Sequence, residues 1–236
     1  MHVRGKRLEV YDLFEHNSAS RNRLKEHPLY EGTGFYKIWK YNTKAYLPFI
    51  ELHKGDLREE AWKSNKKLGI IYVDIVKHGS VIVPVMQAMM PRLKVGGLLI
   101  HQDYFHWQSP WVVYSTERLM KYFDIVGTVS NHMMVLRLRT AIPAELLRVD
   151  DLKDIPAPEK ISLMRTAIQR YPGLRAGLLR VSLLNLMSDD PGFDFEREAS
   201  SISLDIAGQK GVARVIRYLD EVIKNRSSEG KSQCIW

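Results

Sequence analysis

Two strongly apolar segments, separated by a stretch with helical periodicity, constrain the fold of this chain more than any other feature. The first covers residues 69–75 and is almost continuously apolar, which is typical of a strand buried on both faces of a sheet. The second covers residues 98–101. Between them, apolar residues recur on one helical face, and Gly96 and Gly97 are expected to end that helix. This order predicts two parallel strands joined by a crossover helix.

The same alternation extends over roughly the first 140 residues. Further strands are expected at residues 6–11 and 49–52. A closing pair is expected at residues 123–129 and 132–139, and its connection is too short for a crossover helix, so it should be antiparallel. The predicted fold class is therefore α/β, with a Rossmann-like, mostly parallel sheet, helices on both of its faces and one antiparallel edge strand.

The character of the sequence changes after residue 142, where only helical patterns follow a polar, proline-containing segment. Helices are predicted at residues 159–171, 174–187, 193–206 and 211–225. We therefore expect an α/β domain over residues 1–142 and an all-helical extension over residues 143–236. On the last helix, Arg214, Arg217 and Lys224 form either a solvated face or a docking surface, through which the chain would form a homo-oligomer.

Composition and charge exclude several classes of protein. The single cysteine, Cys234, rules out a disulfide framework and a cysteine-based zinc site. The longest apolar runs fall well short of the roughly 20 residues of a membrane helix, and the first residues lack a signal sequence, so a cytoplasmic location with no membrane partner is expected. The net charge of +8 favours anionic ligands but comes without a nucleic-acid-binding platform, so nucleic acid is not the predicted partner.

An aspartate lies at the end of each of the first four predicted strands. These residues are Asp12, Asp56, Asp74 and Asp103. Ligands of open parallel sheets bind beyond the carboxyl ends of the strands, so all four are candidates for a functional site. Each one alone is equally well explained as a helix cap or a turn residue. Four acids gathered at one edge, however, repel one another unless a ligand or a cation uses them.

Asp74 and Asp103 are the most informative pair of these acids. On neighbouring strands they would lie about 5 Å apart, close enough to bind a hard divalent cation such as Mg²⁺ or to deprotonate a hydroxyl group. His101 precedes Asp103 by two residues, so strand periodicity places both on one face of the sheet. His101 is then either a catalytic residue or a hydrogen-bonded structural histidine.

Taken together, these segments resemble the class I S-adenosylmethionine-dependent methyltransferases, and within them the macrocin O-methyltransferase-like group. The resemblance covers roughly residues 6–139, and its carriers are VYDLFE (10–15), GD (55–56), IIYVDIVK (70–77) and MPRLKVGGLLIHQDY (90–104). It implies a Rossmann-like sheet and the transfer of a methyl group to a hydroxyl of a sugar or small natural product. The family's first strand and glycine-rich loop would precede Lys6, so the chain is expected to be N-terminally truncated relative to that family.

The resemblance also implies a role for each acid. Asp12 would bond the ribose hydroxyls of S-adenosylmethionine, and Asp56, with Leu57 beside it, would contact the adenine amino group. Asp74 would lie close to both the methyl group and the acceptor. Asp103 would act there as a catalytic residue on a small-molecule acceptor.

A divalent cation is a further implication of the resemblance. Asp103 matches the second aspartate of an Asp-Asp-Tyr motif that binds a cation in the metal-dependent members, and Gln102 occupies the first position. Asp74 and Asp103 are thus the expected ligands of Mg²⁺. Two other functions stay open: a non-catalytic fragment or interaction protein that retains the sheet, and a different nucleotide-sugar-binding α/β enzyme that uses the same edge.

Overall fold

The fold contains two sheets, seen in a computed structural model that describes residues 8–12, 14–15, 22, 24–30, 32, 34–59, 64–74, 79–148, 152–205, 208 and 211–228. Contacts divide the chain into two compact units, residues 1–62 and residues 63–236. Cys234 and the last residue of the predicted 69–75 strand lie outside the described residues. Among the helices described, none is both long and apolar enough to cross a membrane.

The smaller unit is built on a two-stranded parallel sheet. Its elements are β1 (Leu8–Asp12), α1 (Tyr36–Asn42) and β2 (Ile50–Lys54). Phe14 follows β1 with a φ of 58° and is only 2% exposed, because its ring packs against the aromatic side chains at the start of α1. Its backbone carbonyl accepts a hydrogen bond from Phe35 N at 3.0 Å, and a Cβ on Gly34 would clash with that carbonyl. Gly34 therefore permits the close approach that holds Phe14 inside.

The larger unit contains a four-stranded mixed sheet and a set of helices. Its elements are β3 (Leu68–Val73), α2 (Gly79–Pro84), β4 (Leu93–His101), α3 (Pro110–Leu119), β5 (Phe123–Val129), β6 (Met133–Leu138), α4 (Ala144–Leu147), α5 (Ala157–Arg170), α6 (Leu174–Leu186), α7 (Phe195–Asp205) and α8 (Val212–Ser228). The change from mixed α/β to helical structure near residue 142 lies inside this unit, because α5 and α6 both pack against α3.

The strand order is β3-β4-β6-β5, with β3 and β4 parallel and β6 antiparallel to both of its neighbours. The predicted parallel pair and the predicted antiparallel closing pair are confirmed. The sequence analysis predicted that the antiparallel strand lies at the edge of the sheet. In the structure the antiparallel strand is β6, and it lies between β4 and β5. Inward residues of β6 such as Met134 and Leu136 are fully buried, whereas β5 exposes Asp124 and Val126, so β6 takes the interior position and β5 the edge.

The two faces of the four-stranded sheet differ in burial. Ile71 and Val73 on β3 are 4% and 3% exposed, whereas Ile70 and Tyr72 between them are 59% and 51% exposed. We call these the covered face and the open face. The prediction that residues 69–75 are buried on both faces is therefore wrong for the described strand. Helix α3 packs on the covered face, whereas Ile70 and Tyr72 are exposed on the open face.

A buried charge pair ties the helices of the covered face together. Glu117 on α3 forms an ion pair with Arg170 at the end of α5, and its side chain is 1% exposed. The hydroxyl of Tyr104 donates to the same Glu117 carboxylate oxygen at 2.6 Å. Burial raises the pKa of Tyr104 well above its usual value, and the neighbouring carboxylate raises it further, so Tyr104 stays a hydrogen-bond donor.

Candidate functional site

In the smaller unit, two predicted site residues lie at one edge of the sheet. Strands β1 and β2 run parallel, with Asp12 level with Lys54, and the backbone N–H of Gly55 donates to the Asp12 carbonyl at 3.2 Å. The carboxyl ends of both strands therefore meet, which brings Asp12 and Asp56 to the same edge. This is the arrangement that parallel pairing predicts for residues at strand ends.

Both of these acids also have local partners. The backbone N–H of Phe14 donates to Asp12 Oδ1 at 2.6 Å. Asp56 accepts from Arg58 N at 2.9 Å and pairs with the Arg58 guanidinium, whose hydrogen bond to the carboxylate lowers the pKa of Asp56. Leu57 is 4% exposed and packs inside the unit. Among the hydrogen bonds of the described residues, Asp12 Oδ2 has fewer donors than either carboxylate oxygen of Asp56.

In the larger unit, the parallel pair β3 and β4 places the other two acids at a common edge. Val73 is level with His101, and the N–H of Gln102 donates to the Val73 carbonyl at 3.0 Å. The chain therefore leaves both strands at the same place, and Asp74 lies alongside Gln102 with Asp103 one residue further on. The prediction that these strands are neighbours is confirmed.

A tyrosine hydroxyl connects the residues of this edge. Tyr72 donates a hydrogen bond to Gln102 Oε1. Burial raises the pKa of Tyr72, and the carboxylates of Asp74 and Asp103 raise it further, so both acids lie within electrostatic reach of one hydroxyl. We call Tyr72, Asp74, Gln102 and Asp103 the polar rim. Asp74 is exposed and Asp103 is half-buried, so solvent and ligands reach both side chains.

The sequence analysis missed Tyr72 as a member of this site and considered Gln102 only as the first position of the Asp-Asp-Tyr motif. A signal for Tyr72 was available, since it lies two residues before Asp74 and strand periodicity places both on one face. No sequence signal links Tyr72 to Gln102, because their bond depends on the register between β3 and β4.

The structure separates His101 from the polar rim. Its side chain is buried on the covered face, where Nε2 lies 3.2 Å from the Thr116 hydroxyl of α3. Burial lowers the pKa of His101 to about 4, so the ring is neutral at physiological pH. Strand β4 ends at His101 and residues 102–105 form a turn, so the two-residue periodicity that linked His101 to Asp103 does not continue. His101 has the environment of a structural histidine.

The predicted metal site has two carboxylates at most in the part of the chain that is described. No group of three or more histidine, cysteine, aspartate or glutamate side chains lies together among those residues. Asp74 and Asp103 are hard oxygen ligands, and a cation bound there would take its remaining ligands from water or substrate. Mg²⁺ binding stays a prediction.

The loop after the polar rim returns to the core. Phe105 and Trp107 are 1% and 3% exposed. The N–H of Phe105 donates to the carbonyl of His132 at 3.2 Å, which fixes the turn between β5 and β6 beside the end of β4. Trp107 packs against Tyr218 of α8, with the ring centroids 5.6 Å apart.

Comparison with known proteins assigns nothing to this site. No protein-family model matches the chain, and no curated protein matches it significantly.

Proposed function

We propose that this chain is a class I S-adenosylmethionine-dependent methyltransferase domain with a Rossmann-like sheet, acting on a hydroxyl of a sugar or small natural product. The observation that supports this most is the meeting of Tyr72, Asp74, Gln102 and Asp103 at the carboxyl edge of a parallel strand pair. Ligands of open parallel sheets bind at that edge. A hydroxyl group both donates and accepts hydrogen bonds, and these four side chains supply acceptors and donors for it.

Within the polar rim, each side chain has a chemical part. Tyr72 stays protonated and holds Gln102 through Oε1, which leaves the Gln102 amide N–H groups free to donate to an acceptor oxygen. Asp103 accepts the hydroxyl proton as a general base. Asp74 accepts a hydrogen bond from the same or a neighbouring hydroxyl. His101 is given no catalytic part, since its ring lies inside.

The smaller unit fits the nucleoside part of the cofactor in its donor and acceptor chemistry. Ribose hydroxyls and the adenine amino group are donors, and the carboxylates of Asp12 and Asp56 are acceptors. Asp12 would hold the ribose through its less committed oxygen, and Asp56 would accept from the amino group beside Arg58. When bound, S-adenosylmethionine supplies a methyl group that is already activated on a sulfonium, so the protein chiefly positions the reactants.

Isothermal titration with S-adenosylhomocysteine tests the cofactor half of this proposal. We expect micromolar binding, weakened about tenfold to a hundredfold by Asp12→Ala or Asp56→Ala, since each removes one charge-assisted hydrogen bond. Glu51→Ala is the matched control, because Glu51 lies on β2 before the edge and its loss should leave affinity unchanged. The absence of binding by a folded protein contradicts the proposal.

Methyl transfer from labelled S-adenosylmethionine to a panel of sugars and phenols tests the catalytic half. We expect Asp103→Asn to lower the rate by roughly 10²–10⁴-fold, the usual contribution of a positioned general base. Asp124→Asn on β5 is the control, because Asp124 is exposed and pairs with Arg139, 3.7 Å away, outside the polar rim. Equal rates for the two variants would remove Asp103 from the reaction. Repeating the assay with magnesium and with a chelator tests the cation.

One observation favours the non-catalytic alternative. Strand β3 has the composition of a strand buried on both faces, yet Ile70 is 59% exposed on the open face. An interaction protein that retained the sheet would use such a face. If the folded chain fails to bind S-adenosylhomocysteine, this alternative is preferred, and binding of a nucleotide sugar instead would support the third function.

A further inference from the structure

Two arginines contact the turn between β5 and β6, beside the polar rim, and a third lies close to one of them. Arg175 Nη2 donates to the Ser130 carbonyl at 3.1 Å, and Arg214 Nη2 lies 3.2 Å from Nδ1 of His132. Arg217 lies on α8 near Arg214, and the guanidinium carbons of the two lie 5.1 Å and 5.4 Å from the ring centroid of Tyr218. We call Arg175, Arg214 and Arg217 the cationic cluster.

Helix geometry adds to the positive potential at this place. Arg175 lies in the first turn of α6 and Arg214 in the first turn of α8. The two helix starts are in contact, because a Cβ on Gly211 would lie 3.0 Å from the Leu174 side chain. The partial positive charges of the two helix N-termini therefore lie close together, and the arginines of both first turns contact the turn between β5 and β6.

Among the described residues, no carboxylate forms an ion pair with the cationic cluster, that is, with Arg175, Arg214 or Arg217. Other arginines of this unit do pair with an aspartate or a glutamate, namely Arg118, Arg139, Arg165, Arg170, Arg197 and Arg226. Nε of Arg175 is buried and has no hydrogen-bond acceptor in the described structure. Arg175 therefore retains donor capacity beyond its bond to Ser130, since a buried donor without an acceptor costs free energy.

The cluster lies next to the polar rim. The N–H of Phe105, two residues after Asp103, donates to the His132 carbonyl at 3.2 Å. Burial lowers the pKa of His132 and Arg214 lowers it further, while Asp103 raises it, so Asp103 lies within electrostatic reach of the same imidazole. The acids that would receive a hydroxyl and the arginines that would receive an anion therefore share one end of the sheet.

We propose that the acceptor of the polar rim carries an anionic group, a phosphate or a carboxylate, which Arg175, Arg214 and Arg217 bind while Asp103 faces the hydroxyl. That this ligand is a methyl acceptor rests on the proposed function. That an anion binds at the cluster rests on the geometry of the cluster alone. Guanidinium groups match the planar oxygens of both anions and bind them through paired hydrogen bonds. The Tyr218 ring packs against the guanidinium groups of Arg214 and Arg217 and helps to hold them in place.

The test is calorimetric titration of the full chain with glucose, glucose 6-phosphate and glucuronate, each with and without S-adenosylhomocysteine. The three probes share a pyranose ring and differ in charge, so the two anions separate a phosphate site from a carboxylate site. We expect at least one anion to bind ten times or more tightly than glucose. Equal affinities for all three under both conditions would overturn the inference.

Variants locate the binding. In the unchanged protein, the preferred anion should shift the NMR signals of the His132 ring when it binds. Arg214→Gln should lower the affinity for that anion about tenfold and abolish this chemical-shift change. Lys224→Gln is the matched control, because Lys224 is an exposed cation on the same helix and its loss should change neither readout. If Arg214→Gln does not fold, Arg217→Gln, at an exposed position, replaces it. Equal losses in Lys224→Gln and the arginine variant would show non-specific charge attraction and overturn the inference.

Failure of the anion site and failure of the methyltransferase proposal have different signatures. A chain that binds glucose 6-phosphate but not S-adenosylhomocysteine retains the anion site and loses the proposed reaction. A chain that binds S-adenosylhomocysteine and treats the three sugars alike retains the reaction and loses the anion site.

Discussion

Four consecutive residues, 101 to 104, belong to two different regions. In one region polar side chains are buried, and in the other they are accessible to solvent. His101 and Tyr104 point into the covered face, where they are 1% and 0% exposed. Gln102 and Asp103 between them are half-buried at the rim. The interior region also contains Glu117, which pairs with the half-buried Arg170. Polar side chains thus contact the helices in one region and are accessible to solvent in the other.

The difference lies in solvent rather than in residue type. In the interior, burial keeps His101 neutral and requires every charge to be paired, so removing a partner should cost several kcal/mol. At the rim, water satisfies a side chain that loses its partner, so the same change should cost little stability. Removing groups from each region in turn tests this contrast.

The largest expected effect is that of Glu117→Ala. It leaves Arg170 and the Tyr104 hydroxyl without their shared acceptor in a buried site, and we expect a loss of about 3–5 kcal/mol in the free energy of unfolding. Urea denaturation measures it. Glu198→Ala breaks the more exposed pair with Arg165 and should cost less than about 1 kcal/mol. Similar losses of unfolding free energy in the two variants would mean that water reaches the Glu117 site.

The next largest effect distinguishes the two faces of β3. Ile71→Ala removes a side chain that is 4% exposed and should cost about 2–4 kcal/mol, whereas Ile70→Ala, at 59% exposure, should cost less than about 1 kcal/mol. Both substitutions delete the same atoms from adjacent residues of one strand, so strand propensity cancels in the comparison. A large cost at Ile70 would show that the open face is covered in solution, as the non-catalytic alternative requires.

Protonation of His101 should lower the stability of the folded protein at acidic pH. Its pKa is about 4 in the folded protein and near 6.5 in the unfolded chain, so the unfolded state binds the proton first and stability falls as pH drops below about 6.5. Between pH 7 and pH 5 this contributes a loss of roughly 2 kcal/mol. His101→Gln should flatten that slope, measured by urea denaturation at several pH values. His132→Gln, at a half-buried ring, should flatten it less.

Local patterns predicted the secondary structure of this chain well. The closing hairpin was placed at residues 123–129 and 132–139 and is found at Phe123–Val129 and Met133–Leu138, because its turn and its alternation are both local. The predicted helices after residue 157 are likewise confirmed to within a few residues. Local capping and periodicity determine such elements, and no long-range information is needed.

Register and face were less predictable. Gly96 and Gly97 were expected to end a helix, but β4 begins at Leu93 and Gly96 adopts a φ of 81° where the pairing with β3 shifts. A glycine pair is compatible with both a helix stop and a strand bulge, and only pairing decides between them. For the same reason the bond from Tyr72 to Gln102 and the order of β5 and β6 could not be read from the sequence.

The smallest effect belongs to the rim and completes the contrast. Tyr72→Phe removes the hydroxyl that donates to Gln102, and we expect stability to change by less than about 1 kcal/mol, because Tyr72 is 51% exposed and water replaces the bond. A double-mutant cycle with Gln102→Ala, followed by urea denaturation, should give a coupling energy of about 0.5 kcal/mol. Tyr122→Phe is the control. A coupling above about 2 kcal/mol would show that water is excluded from the rim as it is from Glu117, and the distinction between a buried interior and a solvent-accessible rim would fail.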